Sequence, residues 1–428
     1  MTEPVASRRS FLKASAAAAL APLEIPPVHA AGSGAIRVGM IGCGGRCTGA
    51  ADQALGTGPD VRLVAMADVF QERVNTARNY LRKNKPDQFA VEDDLALVGF
   101  DGYRRVIEAS DVVLIACASK FHARYMRAAI EAGKHVFVEK PHAIDPAGVK
   151  AVAAACELAR QKKLCVVSGL HSRYTPGVRE AIRRIHDGQI GEIVAAEENF
   201  LRAPYNVVRR KPGQTEAQYQ FYNWYHFCWL SGDDVIQSLA HNLDRTTWAL
   251  RGETPVRCHG LGGRSTSFGE AYGDMFDHHS VVYQYASGVR VYANCCTRNK
   301  CHADYSSLIL GTKGRCRITE YADSWIEGEK PWKTGMGADG HRVEQQELFD
   351  AIRKGTVVNN GDYMVPSTWV VVMGQIACYT GKEVTWEQVT KSDFAFEPAD
   401  GDFNTDPPKK PGPDGNYPIP VPGQTKLI

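Results

Sequence analysis

A short apolar strand pattern that leads directly into a glycine turn and a helix limits the fold of this chain more than any other feature. Residues 36–42 read IRVGMIG, the helix pattern CGGRCTGAADQAL follows, and residues 61–68, VRLVAMAD, form the next strand pattern. Further apolar runs, DVVLIACAS, KHVFVEK and KLCVVSGL, alternate with helix patterns at 121–132 and 146–161. Strands that alternate with helices predict a parallel sheet with right-handed crossovers, which is the doubly wound α/β fold.

The glycine turn predicts a dinucleotide site. Gly42 and Gly44 take the first two places of G-x-G-x-x-G, where missing side chains allow a tight turn and close approach of a pyrophosphate to a helix N-terminus. Cys47 stands at the third place, which predicts slightly looser or shifted packing of this helix. Asp68 ends the second strand, where a carboxylate accepts hydrogen bonds from a ribose and repels a 2′-phosphate. The cofactor is therefore expected to be NAD, with NADP less favoured although Arg73 lies nearby.

The first thirty residues have the pattern of an export signal. Arg8 and Arg9 precede Phe11, Leu12 and a short apolar run, and small residues lead to a predicted cleavage after Ala30. This order follows the twin-arginine consensus, whose machinery moves proteins that are already folded, often with a cofactor bound. The apolar run is too short to span a bilayer, and no later stretch is long and apolar enough to do so. The mature protein is therefore expected to be soluble in the periplasm.

Composition excludes some classes of partner. The 428 residues are 44% hydrophobic and carry a formal charge of +2, so the chain can bury two cores but has no strong field for nucleic acid or anionic membranes. The twelve cysteines leave the disulfide state open, because an oxidising compartment permits disulfides whereas folding in the cytoplasm starts from thiols. Their spacing contains no CxxC pair and no Cys/His zinc pattern, and no metal site is predicted. Cys117 and Cys165 are expected to be buried in strands.

Several segments resemble the Gfo/Idh/MocA family of oxidoreductases, which includes glucose-fructose oxidoreductase and inositol dehydrogenase. They are VGMIGCGGR, ACASKFHARYMRAAIEAGKHVFVEKP, SRYTPGVREAIRRIHDGQIGEI and GKEVTW, so that the resemblance extends from Ile36 to Trp386. It implies an N-terminal Rossmann domain, a C-terminal α/β domain with an open, largely antiparallel sheet, and a sugar-like substrate between them. The expected division is a signal peptide at 1–30, an NAD-binding domain at 34–172, a substrate and oligomerisation domain at 173–398 and a tail at 399–428.

The same resemblance points to two catalytic side chains. Glu139-Lys140-Pro141 is the family's most recognisable signature, and a lysine at a strand end can bond a substrate hydroxyl and favour the alkoxide that develops as hydride leaves. His241 matches the histidine of the family's second signature, Asp-x-x-x-His. Gln237 stands where that acid belongs and cannot take a proton, so general-base duty shifts to His241, whose ordinary pKa near 6.5 suits it.

The remaining candidate residues fall into two groups. The aromatic segment from Arg202 to Asp234 either covers the cleft and stacks on a sugar ring or packs between the domains, and both alternatives stay open. The predicted cofactor-binding residues are Gly42, Gly44, Gly45, Arg46, Asp68, Ser119, His122, Glu139 and Lys140. The predicted substrate residues are Arg173, Tyr174, Trp224, His226, Gln237 and Asp244.

Two segments in which apolar and polar residues alternate predict strands, and the C-terminal residues have a different composition. The segments HSVVYQYASGVRVYANCC and SSLILGTKGRCRIT predict adjoining strands of the second sheet, whose open face favours a homo-oligomer. After residue 398 so many prolines and glycines follow that a packed core is not expected, and the tail is either an extended arm that docks on a neighbour or a loose end.

Export combined with a dinucleotide site suggests that the cofactor is retained. Outside the cytoplasm little NAD replaces a lost molecule, so the expected function is an exported, NAD-dependent oxidoreductase of a sugar or sugar derivative that works in a closed redox cycle. One alternative is an NAD-retaining glycosidase that cleaves through a transient keto sugar. The other is a sugar-binding protein of the same fold without turnover, which the glutamine at 237 favours.

Overall fold

The first sheet contains six parallel strands in the order β3-β2-β1-β4-β5-β6, which confirms the doubly wound fold. The computed structural model describes residues 34–205, 207–319, 323–335 and 337–428, so the predicted signal at 1–30 lies outside the described residues. The strands are β1 (Ile36–Ile41), β2 (Val61–Asp68), β3 (Ala96–Val98), β4 (Val112–Ile115), β5 (His135–Val138) and β6 (Val166–Ser168).

Helices connect these strands, and their ends follow local sequence signals. Pro146 opens α5, and the Asp145 side chain accepts a hydrogen bond from the Gly148 N–H at 2.8 Å, which caps the helix. This helix has the predicted limits. The helices of this part are α1 (Gly45–Leu55), α2 (Gln71–Asn84), α3 (Gly102–Ala109), α4 (His122–Glu131) and α5 (Pro146–Gln161).

The second sheet has nine strands in the order β14-β13-β12-β11-β7-β10-β9-β8-β15. Only the β7–β10 pair is parallel, so the largely antiparallel prediction is confirmed. The strands are β7 (Ile193–Arg202), β8 (Pro255–Gly263), β9 (His278–Tyr285), β10 (Arg290–Thr297), β11 (Asp304–Gly311), β12 (Gly314–Thr319), β13 (Ser324–Gly328), β14 (Trp332–Thr334) and β15 (Val384–Thr385).

Eight further helices accompany this sheet in the described part of the chain. They are α6 (Pro176–His186), α7 (Glu216–Tyr222), α8 (Cys228–Ser231), α9 (Asp234–Gln237), α10 (Ala240–Ala249), α11 (Gly340–Lys354), α12 (Gly361–Thr380) and α13 (Trp386–Lys391). The apolar helix α12 is almost wholly buried and packs against β8 and α5. No helix among the described residues combines the length and apolar character needed to cross a membrane.

Helix α11 belongs to the core of the first domain although it follows the second sheet in the chain. Its residues Leu348, Phe349 and Ile352 are buried in the same cluster as Val38 and Met40 of β1, and the helix packs on α1. The core around the first sheet therefore takes side chains from both sides of the predicted boundary at residue 172.

The C-terminal tail is irregular but packs on its own chain. The Phe403 ring lies 5.2 Å from that of Phe70 and 5.0 Å from that of Phe100, centroid to centroid. Lys409 pairs with Asp274 at 3.0 Å. A few aromatic and charged contacts therefore hold on its own chain a segment whose prolines and glycines form neither helix nor strand.

The twelve cysteines, all within the described residues, are free thiols. Ten are buried, including the predicted Cys165, whereas Cys117 is half-buried and Cys301 is exposed.

Candidate functional site

A cavity of about 1380 Å³ lies at the carboxyl ends of the first sheet's strands and is closed on its other side by the second domain. This is where doubly wound sheets bind ligands. Twelve of the predicted site residues line it, namely Gly42, Gly44, Gly45, Arg46, Asp68, Ser119, His122, Glu139, Lys140, Trp224, Gln237 and His241. Arg173, Tyr174, His226 and Asp244 are not part of its wall.

The turn between β1 and α1 has the shape that a dinucleotide requires. Gly42 has a φ of +95°, and a Cβ there would lie 2.5 Å from the Ala116 carbonyl oxygen, so only glycine fits. A Cβ at Gly44 or Gly45 would meet nothing within 4 Å, and no side chain in the described part of the chain caps α1. The first N–H groups of α1 are thus left for a ligand, and the turn fits the pyrophosphate of NAD.

Asp68 fixes this turn and remains at the cavity wall. Its Oδ2 accepts a hydrogen bond from the Cys43 N–H at 2.8 Å, and its Oδ1 accepts one from the Phe70 N–H at 3.0 Å. A carboxylate has about four acceptor positions, so positions remain for ribose hydroxyls. The negative charge at this strand end is the feature that favours NAD over a 2′-phosphorylated cofactor.

Cys47, at the third glycine place, is fully buried between β1 and β4. Its Sγ lies 3.7 Å from the Ile41 carbonyl oxygen and 3.8 Å from that of Leu114. Burial raises the pKa of the Cys47 thiol to about 12, so the side chain is a neutral packing group.

Glu139 and Arg46 form an ion pair in the wall. The Arg46 Nε lies 2.9 Å from the Glu139 Oε1, and the Glu139 Oε2 accepts a hydrogen bond from the Lys140 N–H at 3.1 Å. Gly169 leaves room for this carboxylate, because a Cβ there would lie 2.6 Å from it. Glu139 is thus fixed from both sides at the end of β5 and is only 3% exposed.

Lys140 spans the cavity wall between the two domains. Its Nζ donates a hydrogen bond to the Gln237 carbonyl oxygen at 3.0 Å, and the Lys140–Pro141 peptide bond is cis. The buried His122 ring lies 2.8 Å from the Pro141 carbonyl oxygen and 3.1 Å from that of Cys117. Burial lowers the pKa of His122, and the neutral ring has one N–H, which donates to one of these two carbonyl oxygens.

The amide of Gln237 explains why no acid stands at this position. Its Nε2 donates to the Ser119 Oγ at 2.8 Å and to the Ser231 carbonyl oxygen at 2.6 Å. A carboxylate could not donate to that carbonyl, and two oxygens would face each other in a buried place. Gln237 therefore joins α9 to the segment after β4 instead of serving as an acid.

Three imidazoles lie in a row along the cavity. The His171 ring centroid is 4.6 Å from that of His241 and 4.2 Å from that of His341. His241 comes from α10, His171 follows β6, and His341 lies in the first turn of α11. The sequence offered no signal for His341, because it comes together with the others only through the packing of α11 on the first domain.

Three of the predicted substrate residues form a structural cluster outside the cavity, which corrects the expectation that they face it. Arg173 makes two hydrogen bonds to Asp244, at 2.9 and 2.8 Å, and its guanidinium lies against the rings of Trp248 and Tyr363. Tyr174 is only 3% exposed and donates to the Asn360 side chain. Their polar groups are therefore engaged within the protein.

The aromatic segment contributes to both of the expected roles. Trp224 and Tyr225 line the cavity, whereas the Trp229 Nε1 donates to the Gln220 Oε1 at 2.7 Å in the interior. The His226 Nε2 lies 2.6 Å from the Tyr205 carbonyl oxygen, and burial lowers its pKa to about 4, so it is a neutral packing residue rather than a cavity residue.

Arg202 is a cavity residue that motif analysis did not single out. It is 5% exposed, pairs with Asp234 at 2.8 Å and bonds the Tyr225 hydroxyl at 2.8 Å. This ion pair holds the aromatic wall against β7. The only sequence signal was its place at the start of the aromatic segment.

Comparison with known proteins agrees with this architecture. Residues 36–169 match the model of an oxidoreductase family with an NAD-binding Rossmann fold, and residues 182–369 match the model of its C-terminal α/β domain. The chain belongs to the Gfo/Idh/MocA oxidoreductase family. This membership makes it an NAD-binding enzyme of the oxidoreductase class, in agreement with the cofactor expected from Asp68.

Similar proteins act on polyols and sugars. Inositol 2-dehydrogenase 3 of Saccharopolyspora erythraea is 27% identical over 60% of this chain and 70% of its own. Inositol 2-dehydrogenase of Burkholderia cenocepacia is 26% identical over 78% of this chain and 89% of its own. Among solved structures, levoglucosan dehydrogenase with NADH and levoglucosan aligns with a TM-score of 0.66 and 19% sequence identity. The alignment covers 82% of this chain and 100% of that chain. An aldose-aldose oxidoreductase from Caulobacter crescentus, solved with glycerol, aligns with a TM-score of 0.63 and 20% sequence identity. The alignment covers 82% of this chain and 99% of that chain.

The role of the Gln237 amide can be tested with Gln237→Glu. Losing a donor to a buried carbonyl is expected to lower the free energy of unfolding by about 1–3 kcal/mol at neutral pH. This loss of unfolding free energy should become smaller as the pH falls. Burial raises the pKa of the new carboxyl, so it takes up a proton and can again donate a hydrogen bond to the carbonyl oxygen. Urea unfolding at several pH values measures this. The exposed Gln424→Glu is the matched control, and equal stability of the two variants at every pH would contradict the assignment.

Proposed function

We propose that this protein is an exported oxidoreductase that keeps its NAD and oxidises a hydroxyl of a sugar or sugar derivative. The observation that carries the proposal is the convergence of Lys140 and His241 on the cavity that also holds the dinucleotide turn. When bound, NAD supplies the acceptor for the hydride. The chain's own residues must then orient the substrate hydroxyl and handle its proton.

Lys140 and His241 have complementary roles in this proposal. The Lys140 ammonium stabilises negative charge on the substrate oxygen as the hydride departs. His241 is the candidate base. Gln237, next to Lys140, cannot take a proton, and its amide nitrogen donates hydrogen bonds to Ser119 and Ser231. The neighbouring His171 ring gives the proton a polar route away from the substrate.

The wall opposite the dinucleotide turn fits a sugar ring. Trp224, Tyr225 and Tyr305 offer aromatic surface in the cavity wall, and Arg202, which is bonded to Asp234 and Tyr225, adds a charged group to the same wall. Flat rings with a few polar groups suit the C–H faces and hydroxyls of a carbohydrate. The polyol and sugar dehydrogenases that resemble this chain support the same substrate class.

Contacts of the tail support slow exchange of the cofactor. Phe403 lies against Phe70 and Phe100, next to the strand end that carries Asp68, and also against Phe221 of the second domain. Arg124 of α4, in the first domain, pairs with Asp400 of the tail. The tail thus bridges both domains beside the expected adenosine end, and separating the domains requires these contacts to break.

The export part of the proposal rests on the twin-arginine pattern at the N-terminus. The twelve unpaired cysteines, ten of them buried, are compatible with folding in the reducing cytoplasm before transport. Self-association is also part of the proposal. Leu261 and Tyr292 lie on the same face of the second sheet and are 75% and 42% exposed, which suits contact with a second copy.

The function can be tested on the purified full-length chain. We expect NAD to be released on denaturation and a sugar to cause reduction of the bound cofactor, at most one equivalent per chain in the absence of a second substrate. Absorbance of the reduced nicotinamide and chromatography of the released nucleotide measure both. Release of an aryl group from aryl glycosides without net reduction would favour the glycosidase instead. Neither signal, with no bound nucleotide, would favour a binding protein.

Lys140→Ala tests the proposed catalytic lysine. Losing the ammonium is expected to lower turnover by about 100-fold or more, because charge on the substrate oxygen is no longer stabilised. NAD should remain bound, since the glycine turn and Asp68 are untouched. Steady-state kinetics and bound-nucleotide content measure this, with the exposed Lys83→Ala as control. Turnover near that of the control would remove Lys140 from the mechanism.

Phe403→Ala tests the tail as the element that retains the cofactor. Removing the ring opens a gap among Phe70, Phe100 and Phe221, so bound NAD is expected to exchange with free NAD at least about tenfold faster, equivalent to about 1.4 kcal/mol. Exchange of isotopically labelled NAD measures the rate. The exposed tail variant Val421→Ala should exchange like the natural protein. An unchanged rate in Phe403→Ala would place retention elsewhere.

A further inference from the structure

Three side chains with metal-binding atoms meet at the cavity wall. Glu139 at the end of β5 and His341 and Glu344 of α11 each place one donor atom within 4.8 Å of the others. His341 and Glu344 are three residues apart, which puts them on the same face of α11. The His341 Nδ1 lies 3.3 Å from the Glu344 Oε1.

The burial of this group is unusual for carboxylates. Glu344 is 0% exposed and Glu139 is 3% exposed. The Glu344 Oε2 has no hydrogen-bond partner among the described residues. A buried carboxylate oxygen without a partner is costly, so this oxygen calls for a proton or a cation that it can bind.

The local charges favour a cation. Glu139 and Glu344 bring two carboxylates into one buried place, and Arg46 is the guanidinium that pairs with one of them through the Glu139 Oε1. A bound divalent ion would offset the remaining negative charge and give the Glu344 Oε2 a partner.

We propose that Glu139, His341 and Glu344 bind a divalent transition-metal ion. Two carboxylates and one imidazole are donors suited to ions such as Mn²⁺ or Fe²⁺, and none of the three donors is a thiolate. Glu139 and His341 also line the cavity, so the ion would lie at its wall. This site goes beyond the proposed function. The cysteine and histidine spacing could not indicate it, because its ligands come from positions about 200 residues apart.

The test is a direct measurement of Mn²⁺ binding to the full-length protein after dialysis against a chelator. Mn²⁺ is chosen because thiols bind it weakly, so the cysteines do not compete. Electron paramagnetic resonance of free Mn²⁺ gives the number of bound ions and their affinity. The variants are His341→Ala, which changes a partly exposed side chain, and Glu344→Gln, which keeps the buried shape. Glu347→Gln lies on the same helix outside the group and is the matched control.

We expect one Mn²⁺ per chain, at least about tenfold weaker binding in His341→Ala and in Glu344→Gln, and unchanged binding in Glu347→Gln. Bound Mn²⁺ should also raise the melting temperature of the natural protein but not that of the two variants. No binding at millimolar Mn²⁺ would overturn the proposal and leave Glu344 as a protonated acid. Equal binding by all proteins would also overturn it. Because turnover is not measured, either outcome is separate from success or failure of the proposed sugar oxidation.

Discussion

The junction between Lys140 and Gln237 is the contact on which the cavity depends. The Lys140 amine, from the end of β5, donates to the Gln237 carbonyl oxygen at 3.0 Å, and the Gln237 amide donates to Ser119 in the segment after β4. These two hydrogen bonds connect the strand ends of the first sheet with helix α9. They set the distance between the dinucleotide turn and the aromatic wall, so groups from two domains can act on one substrate. Together with the packing of α11 and α12 on the first domain, this junction fixes the separation of Lys140 and His241.

Much of the first domain could be predicted because its signals are local. The limits of α5 follow from a capping aspartate and a proline, and the turn at Gly42 follows from strand, glycine and helix in immediate succession. The position of Asp68 at the cavity follows from the same rule, since parallel strands end at one edge of the sheet. In each case the physical cause lies within a few residues of its effect.

The rest of the site depends on contacts between distant segments. Arg173 and Asp244 both carry charges suited to a sugar, yet they find each other across 71 residues and become a buried pair outside the cavity. His341 gave no signal of its own and reaches the site through the packing of α11. Gln237 could be recognised as a departure from the family pattern, but its reason, the carbonyl of Ser231, is visible only in the folded chain. The composition of the tail does not show where it lies, because its position depends on contacts with distant residues, such as those of Phe403 with Phe100 and of Lys409 with Asp274.

The packing of α11 has a consequence for how the polypeptide is made. Leu348, Phe349 and Ile352 fill the core beside β1 and α1, although about 180 residues separate them from the last strand of that sheet. While the ribosome is still adding the second sheet, the dinucleotide half exposes an apolar groove and lacks its final layer. Its completion must wait until α11 has emerged from the exit tunnel, after most of the polypeptide has been synthesised. The nascent chain therefore matures as a whole rather than half by half.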